Sequence, residues 1–416
     1  MDYMANSMSN SGMALIRKNN TRNRILYIIR SRKKVSKIEI KRISKYSMVT
    51  VLDTVEVLLK KKLIFYAEKV NSNRIGRKAT HISLNPEGGY FLGLSFQAAE
   101  LSLALLDYCG ELVDFSRYAF DQKKVAAKPV LEQIYSVLDD ALKRHAALRS
   151  KIIGIGIGAP GYIDEEQGLC VFYPHIENWQ SIPLRSLLAE RIPDIPIYIE
   201  HNTNAMLLAY RWLFPENNKG TLVLISIRSG IKMSCMIDSV LYKGKNFTAG
   251  EIGHIKVSGG SRFCPCGKTG CLESEISEKA IRTKLLEGIR VNRFGKLWKS
   301  AGFDKNNVDI DLFISSIRLG DTDSLVLLDE VCNYLGDSIT QLVNILNPSR
   351  IILNTSLCEL GPEFFDRLKN VVWKQGVFVA LEGLSLEPVA FGKQSAAIGA
   401  AAIVMERELN FLDATI

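Results

Sequence analysis

Apolar positions recur along this 416-residue chain in two different rhythms, and the change from one to the other divides it. Within residues 22–31, Ile25, Leu26, Ile28 and Ile29 repeat at helical spacing. Ser36 stands as an N-cap before KIEIKRIS, a break follows at Lys45-Tyr46, and Ser47 caps a second segment. That segment, residues 48–64, is an amphipathic helix with Val51, Val55, Leu58 and Leu59 as its buried stripe. IFYAEKV (64–70) then reads as a strand, NSNRIGRKA (71–79) as a polar basic tip and THISLN (80–85) as the returning strand. Three helices, two of them joined by a tight turn, followed by a hairpin, predict a winged helix-turn-helix. Residues 1–20 are polar and aperiodic, which predicts a flexible lead.

Past the breaker-rich Asn85–Gly89 the rhythm becomes that of an α/β protein. Strands are expected at 90–97, 100–108 and 111–120, a helix at 128–149, and a buried strand in 151–164 that runs into a Gly-Pro loop. A short helix at 184–190, a strand at 196–202 and a helix at 203–214 complete the set. The cycle then restarts with strands at 221–227 and 233–242, long helices at 275–300 and 324–346, a strand at 349–354 and a last helix at 395–409. Two similar α/β halves follow from that order, with ligands expected at the C-terminal ends of the strands and in the cleft between lobes.

Charge separates the parts again. Residues 1–85 hold 19 Lys and Arg against 5 Asp and Glu, while the remainder holds 34 against 39. A head of net charge +14 on a body of −5 assigns any polyanion partner to the head. Lys33, Lys34, Lys37, Lys41, Arg42 and Lys45 suit phosphate, and Arg74, Arg77 and Lys78 lie where a wing tip meets the backbone or minor groove. The groove-facing residues of the second helix are Ser47, Met48, Val49, Thr50, Leu52 and Asp53, a poor set for polar base reading. Val49 and Thr50 are suited to a thymine methyl. No apolar run approaches the roughly 20 residues that span a bilayer, and the N-terminus lacks a signal-peptide pattern. Eight cysteines and no export pattern place the chain, by expectation, in a reducing cytoplasm.

Three of those cysteines carry the sharpest chemical signal. Within GEIGHIKVSGGSRFCPCGKTGCLE (250–273), His254, Cys264, Cys266 and Cys271 supply one imidazole and three thiols, the ligand set of a closed tetrahedral Zn2+ site. Glycines 259, 260, 267 and 270 let so short a loop close on one ion. With no open coordination position, the metal is expected to be structural.

The run Glu251-Ile-Gly-His254, followed by Cys-x-Cys-Gly-x-x-Gly-Cys-x-Glu from Cys264 to Glu273, resembles the ROK family of repressors, open reading frames and sugar kinases. GIGIGAPGYID (154–164), NWQSIPL (178–184) and LVNILNPSRIIL (342–353) resemble other blocks of that family. The similarity covers essentially the whole chain, and the basic head resembles the winged helix of the repressor branch. It implies an actin-like body of two ribonuclease-H-like lobes. The expected domains are a winged helix-turn-helix at 1–84, a first lobe at 85–203 completed by helix 393–416, and a second lobe at 204–392 holding the zinc site. It also implies a sugar site in which Glu251, His254 and Glu273 hold hydroxyls, together with His201 and Asn202, which stand at the family's sugar-binding Asn-Asp pair.

The kinase apparatus of the family is altered at four places. The Asp-x-Gly-Gly-Thr loop is replaced within Gly93-Leu-Ser-Phe-Gln-Ala-Ala99. A Gly-Thr-Gly-x-Gly-Gly-Gly loop reads Arg228-Ser-Gly-Ile-Lys-Met-Ser234. The catalytic Asp becomes Asn202, whose carboxamide is no general base, and a late Gly-Gly reads Asn354-Thr355. The resemblance therefore implies a sugar-responsive transcriptional regulator, a repressor of carbohydrate genes, rather than an enzyme. Its expected partners are operator DNA, a sugar and a second or further copies in a homodimer or homotetramer. The alternatives are control by a protein of the phosphotransferase system, as for some family repressors, and a degenerate sugar kinase.

Overall fold

The structure is a computed structural model that describes residues 10–67, 80–97, 100–120, 126–214 and 220–409, and the side chains from residue 20 onward. By contacts it divides into two units, residues 1–217 with 396–416, and residues 218–395. Arg74, Arg77, Lys78, Ala98 and Ala99 lie outside the described residues.

The head consists of α1 (Asn10–Arg32), β1 (Val35–Ser36), α2 (Lys37–Ser44), α3 (Met48–Lys60), β2 (Ile64–Ala67) and β3 (His81–Leu84). Because α1 begins at Asn10, half of the stretch expected to be a flexible lead is helical. Ser36 caps α2 reciprocally with Glu39: the Ser36 backbone N–H donates to the Glu39 carboxylate at 2.8 Å, and the Glu39 N–H donates to Ser36 Oγ at 3.3 Å. Those hydrogen bonds hold the Glu39 carboxyl below its usual range. Lys45 ends α2 in the left-handed region (φ 60°), which makes the tight turn into α3. Val51, Val55 and Leu58 of α3 are buried as expected, whereas Leu59 is half-buried because it falls at the edge of the stripe. β3 pairs antiparallel with both β1 and β2, which gives the three-stranded sheet of a winged helix.

The first α/β sheet has the order β11-β7-β4-β5-β6, from β4 (Tyr90–Phe96), β5 (Glu100–Asp107), β6 (Leu112–Ala119), β7 (Ile152–Ala159) and β11 (Ile197–His201). β4 to β6 pair antiparallel, while β7 and β11 add in parallel. Helices α4 (Ala127–Arg144), α5 (Leu184–Arg191) and α6 (Asn202–Leu213) belong to the same unit, and β8 (Tyr162–Asp164), β9 (Leu169–Phe172) and β10 (Gln180–Ile182) form a small antiparallel sheet. The second unit repeats the plan. Its sheet order β14-β13-β12-β15-β16 comes from β12 (Leu222–Ile227), β13 (Ile231–Ile237), β14 (Val240–Tyr242), β15 (Arg350–Asn354) and β16 (Ser385–Pro388). Again the first three strands are antiparallel and the last two parallel. Two copies of one strand order are the duplicated ribonuclease-H-like plan of the actin-like fold.

The remaining helices of the second unit are α7 (Leu272–Ile276), α8 (Glu278–Arg290), α9 (Gly295–Ser300), α10 (Ile310–Arg318), α11 (Thr322–Leu346), α12 (Pro362–Gln375) and α13 (Phe378–Leu381). The single helix expected over 275–300 is thus three, broken where Ser277 caps α8 and where Phe294 takes a positive φ. The strand expected at 233–242 is a hairpin. Asp238 and Ser239 both take positive φ (49° and 65°), as the two central residues of a mirror-image hairpin turn do, without the glycine that marks such turns.

The C-terminal helix α14 (Ser395–Leu409) returns from the second unit to the first. It lies on a floor of glycines. A Cβ at Gly93 or Gly156 would collide with the backbone of α14 at Ala397 and Ala401 or at Ala400, and one at Gly399 would stand 2.7 Å from the Met206 backbone nitrogen of α6. Ile398, Ala400, Ala401, Ile403, Val404 and Met405 are all buried there. The Gly156→Ala substitution is expected to destabilise the protein by about 3 kcal/mol through backbone overpacking. Gly267→Ala has open space and only an unfavourable φ of 91° to contend with, so it is expected to lose about 1 kcal/mol. Denaturant unfolding of the two variants measures the difference.

Candidate functional site

The metal-ligating residues are assembled by one loop of the second unit. A 3-10 turn at Ile252–His254 presents His254, and short ladder contacts then fold the loop on itself. Lys256 pairs with Cys271 and Phe263 with Thr269. The Val257 N–H donates to Gly270 O at 2.9 Å, and the Cys264 N–H donates to Lys268 O at 2.8 Å. Gly259, Gly267 and Gly270 take positive φ (75°, 91° and 79°), and Gly260 packs where a Cβ would lie 2.9 Å from Gly270 O. Those positions need glycine.

As a result, the donor atoms of His254, Cys264, Cys266 and Cys271 lie within 4.8 Å of one another. Cys264 Sγ is 3.6 Å from His254 Nδ1, and Cys266 Sγ is 3.6 Å from Cys271 Sγ. Tetrahedral Zn2+ with bonds of about 2.3 Å to sulfur and about 2.0 Å to nitrogen requires ligand separations of about 3.5–3.8 Å. The donor set and its spacing therefore fit that ion. Two of the three thiols also resist shedding their protons without a cation. Burial and the neighbouring sulfurs push Cys271 up to about 12, and burial raises Cys264, while Cys266 falls below the usual thiol value because, against desolvation, the Lys268 N–H supports its thiolate.

Beyond the quartet, Glu275 holds the outer turn of the loop. It is 3% exposed, and its Oε1 accepts the N–H groups of Ser261 and Arg262 at 2.8 and 2.9 Å. Lys284 Nζ stands 3.2 Å from Oε2. These contacts outweigh desolvation and hold the Glu275 carboxyl below its ordinary range. Sequence reading missed this role, because Glu275 falls at the start of the helix expected over 275–300 with nothing to mark its partners.

The second unit also brings together the three residues expected to meet sugar hydroxyls. His254 turns Nδ1 to the thiols and Nε2 toward Glu251, 4.0 Å away. Glu251 accepts from Lys232 Nζ at 2.7 Å. Glu273 accepts the Ile231 N–H at 2.9 Å and lies against Gly230, where a Cβ would come within 3.0 Å of its Oε2. The single glycine left in the Arg228–Ser234 loop is the one that seats Glu273. Lys232, which neutralises Glu251, was noticed from sequence only as a lost glycine.

At the positions the resemblance assigns to nucleotide loops, side chains bond to one another. Arg228 donates to Ser356 Oγ at 2.7 Å and to Glu278 at 3.3 Å, and reaches Asn354 Oδ1 at 3.5 Å. Asn354 in turn donates to Ser226 Oγ at 2.9 Å, and both Asn354 and Thr355 are buried. In the first unit, Asn202 is 4% exposed. Its Oδ1 accepts from Ser95 Oγ at 3.0 Å and its Nδ2 donates to Phe96 O at 3.1 Å, so its amide ties β4 to the start of α6. His201 caps α6, with Nδ1 accepting the Thr203 N–H at 3.1 Å. That contact requires an unprotonated Nδ1.

On the head, Ser47 caps α3 by accepting the Thr50 N–H at 3.1 Å, and the two hydroxyls are 2.8 Å apart. Val49 and Lys45 are exposed, and Lys37 Nζ sits 5.3 Å above the Tyr66 ring. Arg30, at the end of α1, was not anticipated. It donates to Tyr108 O at 2.6 Å and to Trp212 O at 3.4 Å, lies 5.6 Å from the Trp212 ring, and touches Met405 Sδ at 3.7 Å. Burial lowers its pKa. The head is thereby anchored to the residue after β5, to α6 and to α14 of its own unit.

A family model for the ROK family matches residues 95–407, and the chain belongs to that family. The xylose repressor of Bacillus spizizenii is 28% identical over 380 residues, covering 91% of this chain and 92% of that protein. A glucokinase of Halalkalibacterium halodurans is also 28% identical but covers 77% of this chain and 96% of its own length. Among solved structures, a ROK family transcriptional regulator described as a homologue of the Escherichia coli MLC protein superposes with a TM-score of 0.80. It is 23% identical and covers 95% of this chain and 98% of its own.

Replacing Glu275 by Ala removes the acceptor for two backbone N–H groups and leaves Lys284 with Glu330 as its partner, at 2.6 Å. A loss of about 3 kcal/mol is expected in denaturant unfolding. The sign with pH follows from the depressed carboxyl. The stabilisation is complete above the unfolded value of 4.5 and disappears as pH falls through the lower folded value, so wild type and Glu275→Ala should converge in acid.

Proposed function

We propose that this ROK protein is a sugar-responsive transcriptional repressor of carbohydrate-utilisation genes, without kinase activity. The observation that carries the reading is the contrast within one unit: the His254–Cys271 loop and its acidic neighbours are fully assembled, while the loop that would admit nucleotide phosphates is closed by Arg228, Glu278, Ser356 and Asn354. The winged-helix head supports it, as does the likeness to a xylose repressor along nearly the whole chain, where the glucokinase leaves almost a quarter of this chain unmatched.

In this reading His254, Cys264, Cys266 and Cys271 hold one structural Zn2+, which supplies cross-linking of the loop and no reaction chemistry. The loop then keeps the His254 ring oriented, so that Nε2 and the carboxylates of Glu251 and Glu273 address adjacent sugar hydroxyls. His201, which caps α6 of the first unit, is kept as a candidate sugar contact in its own right. Asn202, with both amide ends engaged internally, serves packing. The head binds operator DNA as part of a cytoplasmic homodimer or homotetramer, one winged helix per half-site. A route from sugar to head exists inside the first unit. His201 caps one end of α6, Trp212 near the other end touches Arg30, and a helix of 12 residues spans about 18 Å between them. Sugar binding shifts the population of head positions by its differential affinity for the two states.

Purified protein is expected to carry one zinc per chain by elemental analysis and Cys266→Ala close to none, with sugar response lost together with the metal. Unchanged zinc and unchanged response contradict the assignment. Duplex affinity should fall on the order of a hundred-fold between roughly 50 and 200 mM salt if four or five phosphates are contacted. A coupled assay with ATP and a hexose panel should register no turnover, and a phosphorylated sugar product refutes the repressor-only reading.

A further inference from the structure

The surface that α3 offers to DNA is aliphatic. Val49 is 67% exposed and Leu52 40% exposed, one turn apart on the N-terminal part of the helix. From Met48 to Val57 there is no Arg, Lys, Asn or Gln. Of the three hydroxyls here, Ser47 and Thr50 satisfy the helix cap and each other, and Thr54 is half-buried. Lys60, the first cation on α3, is paired with Glu56 at 2.9 Å. Around this apolar turn stands an exposed cationic collar of Lys33, Lys34, Lys41, Arg42 and Lys45.

We infer that this protein reads its operator through thymine C5-methyl groups packed on Val49 and Leu52, while the collar holds the phosphates. This rests on the DNA-binding reading above and specifies its base chemistry. The collar matches a polyanion, which an apolar protein partner does not present. Of the groups on the major-groove edges of bases, only the thymine methyl is apolar. Guanine and adenine are usually read by bidentate Arg, Lys, Asn or Gln, and α3 carries none of these from Met48 to Val57. Two carboxylates stand in that stretch: Glu56 is paired with Lys60, and Asp53 is left able to accept from cytosine N4.

The test uses the full chain. A random duplex library is enriched for binding, and thymines in the enriched site are replaced one at a time by deoxyuridine, which removes the methyl alone. One or two positions per half-site are expected to lose about four-fold in affinity, the contribution of one buried methyl. Val49→Ala or Leu52→Ala should produce a similar loss on the thymine duplex and none further on the matching uracil duplex. Val49→Thr, nearly isosteric, guards against a folding effect, and Lys45→Ala should weaken both duplexes equally. An enriched site indifferent to every uracil substitution, or one read only at cytosines opposite Asp53, overturns the inference and leaves DNA binding standing. Failure to enrich any sequence overturns the operator reading itself.

Discussion

The helix α14 rests on β4 and β7 at glycines that place no side chain between the backbones. Gly93 and Gly156 let its backbone come against β4 and β7, and its own Gly399 lets α6 approach as closely. The rest of the first unit depends on that contact. With α14 seated, Glu406 accepts from Arg211 and from the Trp212 indole at 2.9 Å each, which fixes the C-terminal end of α6. Trp212 and Met405 then form part of the socket that takes Arg30. A close backbone packing at the centre of the lobe thus decides where the winged-helix head attaches. Burying a guanidinium is tolerable only when it is hydrogen-bonded, and here two carbonyls and an aromatic face supply the partners.

The second unit follows a different logic, in which polar groups are used to keep a loop in shape. The quartet closes one end and Glu275 closes the other. Glu273 and Glu251 each have a partner on the Arg228–Ser234 loop: the Ile231 N–H beside the retained Gly230, and Lys232. In the proposed reading, the lysine that replaces a glycine of the phosphate loop thus supports one of the carboxylates assigned to sugar.

The helical and strand periods were strong enough in the sequence to mark the head, both α/β halves and the buried stripe of α3, and the Cys and His spacing marked the metal loop. What escaped was set by contacts between distant segments. Nothing near Arg30 distinguishes it from the other basic residues of the head, since its socket comes from residues 108, 212 and 405. Glu275 looks solvated until Ser261 and Arg262 fold back on it. Asn202 reads as a weakened catalytic position, and only its bonds to Ser95 and Phe96 reveal a tie between elements. The hairpin at Asp238-Ser239 and the break before α9 escaped because non-glycine residues adopt positive φ there, and the break before α8 because Ser277, its cap, also suits a helix interior.

The central claim is that one molecule joins an intact ligand loop to a DNA-binding head and has given up phosphoryl transfer. Fluorescence anisotropy of its selected duplex, titrated with a panel of aldoses, tests this most directly. The account predicts that at least one sugar weakens duplex affinity ten-fold or more without ATP and without being consumed. Duplex affinity unmoved by every sugar, or a response that requires ATP and yields a sugar phosphate, contradicts it.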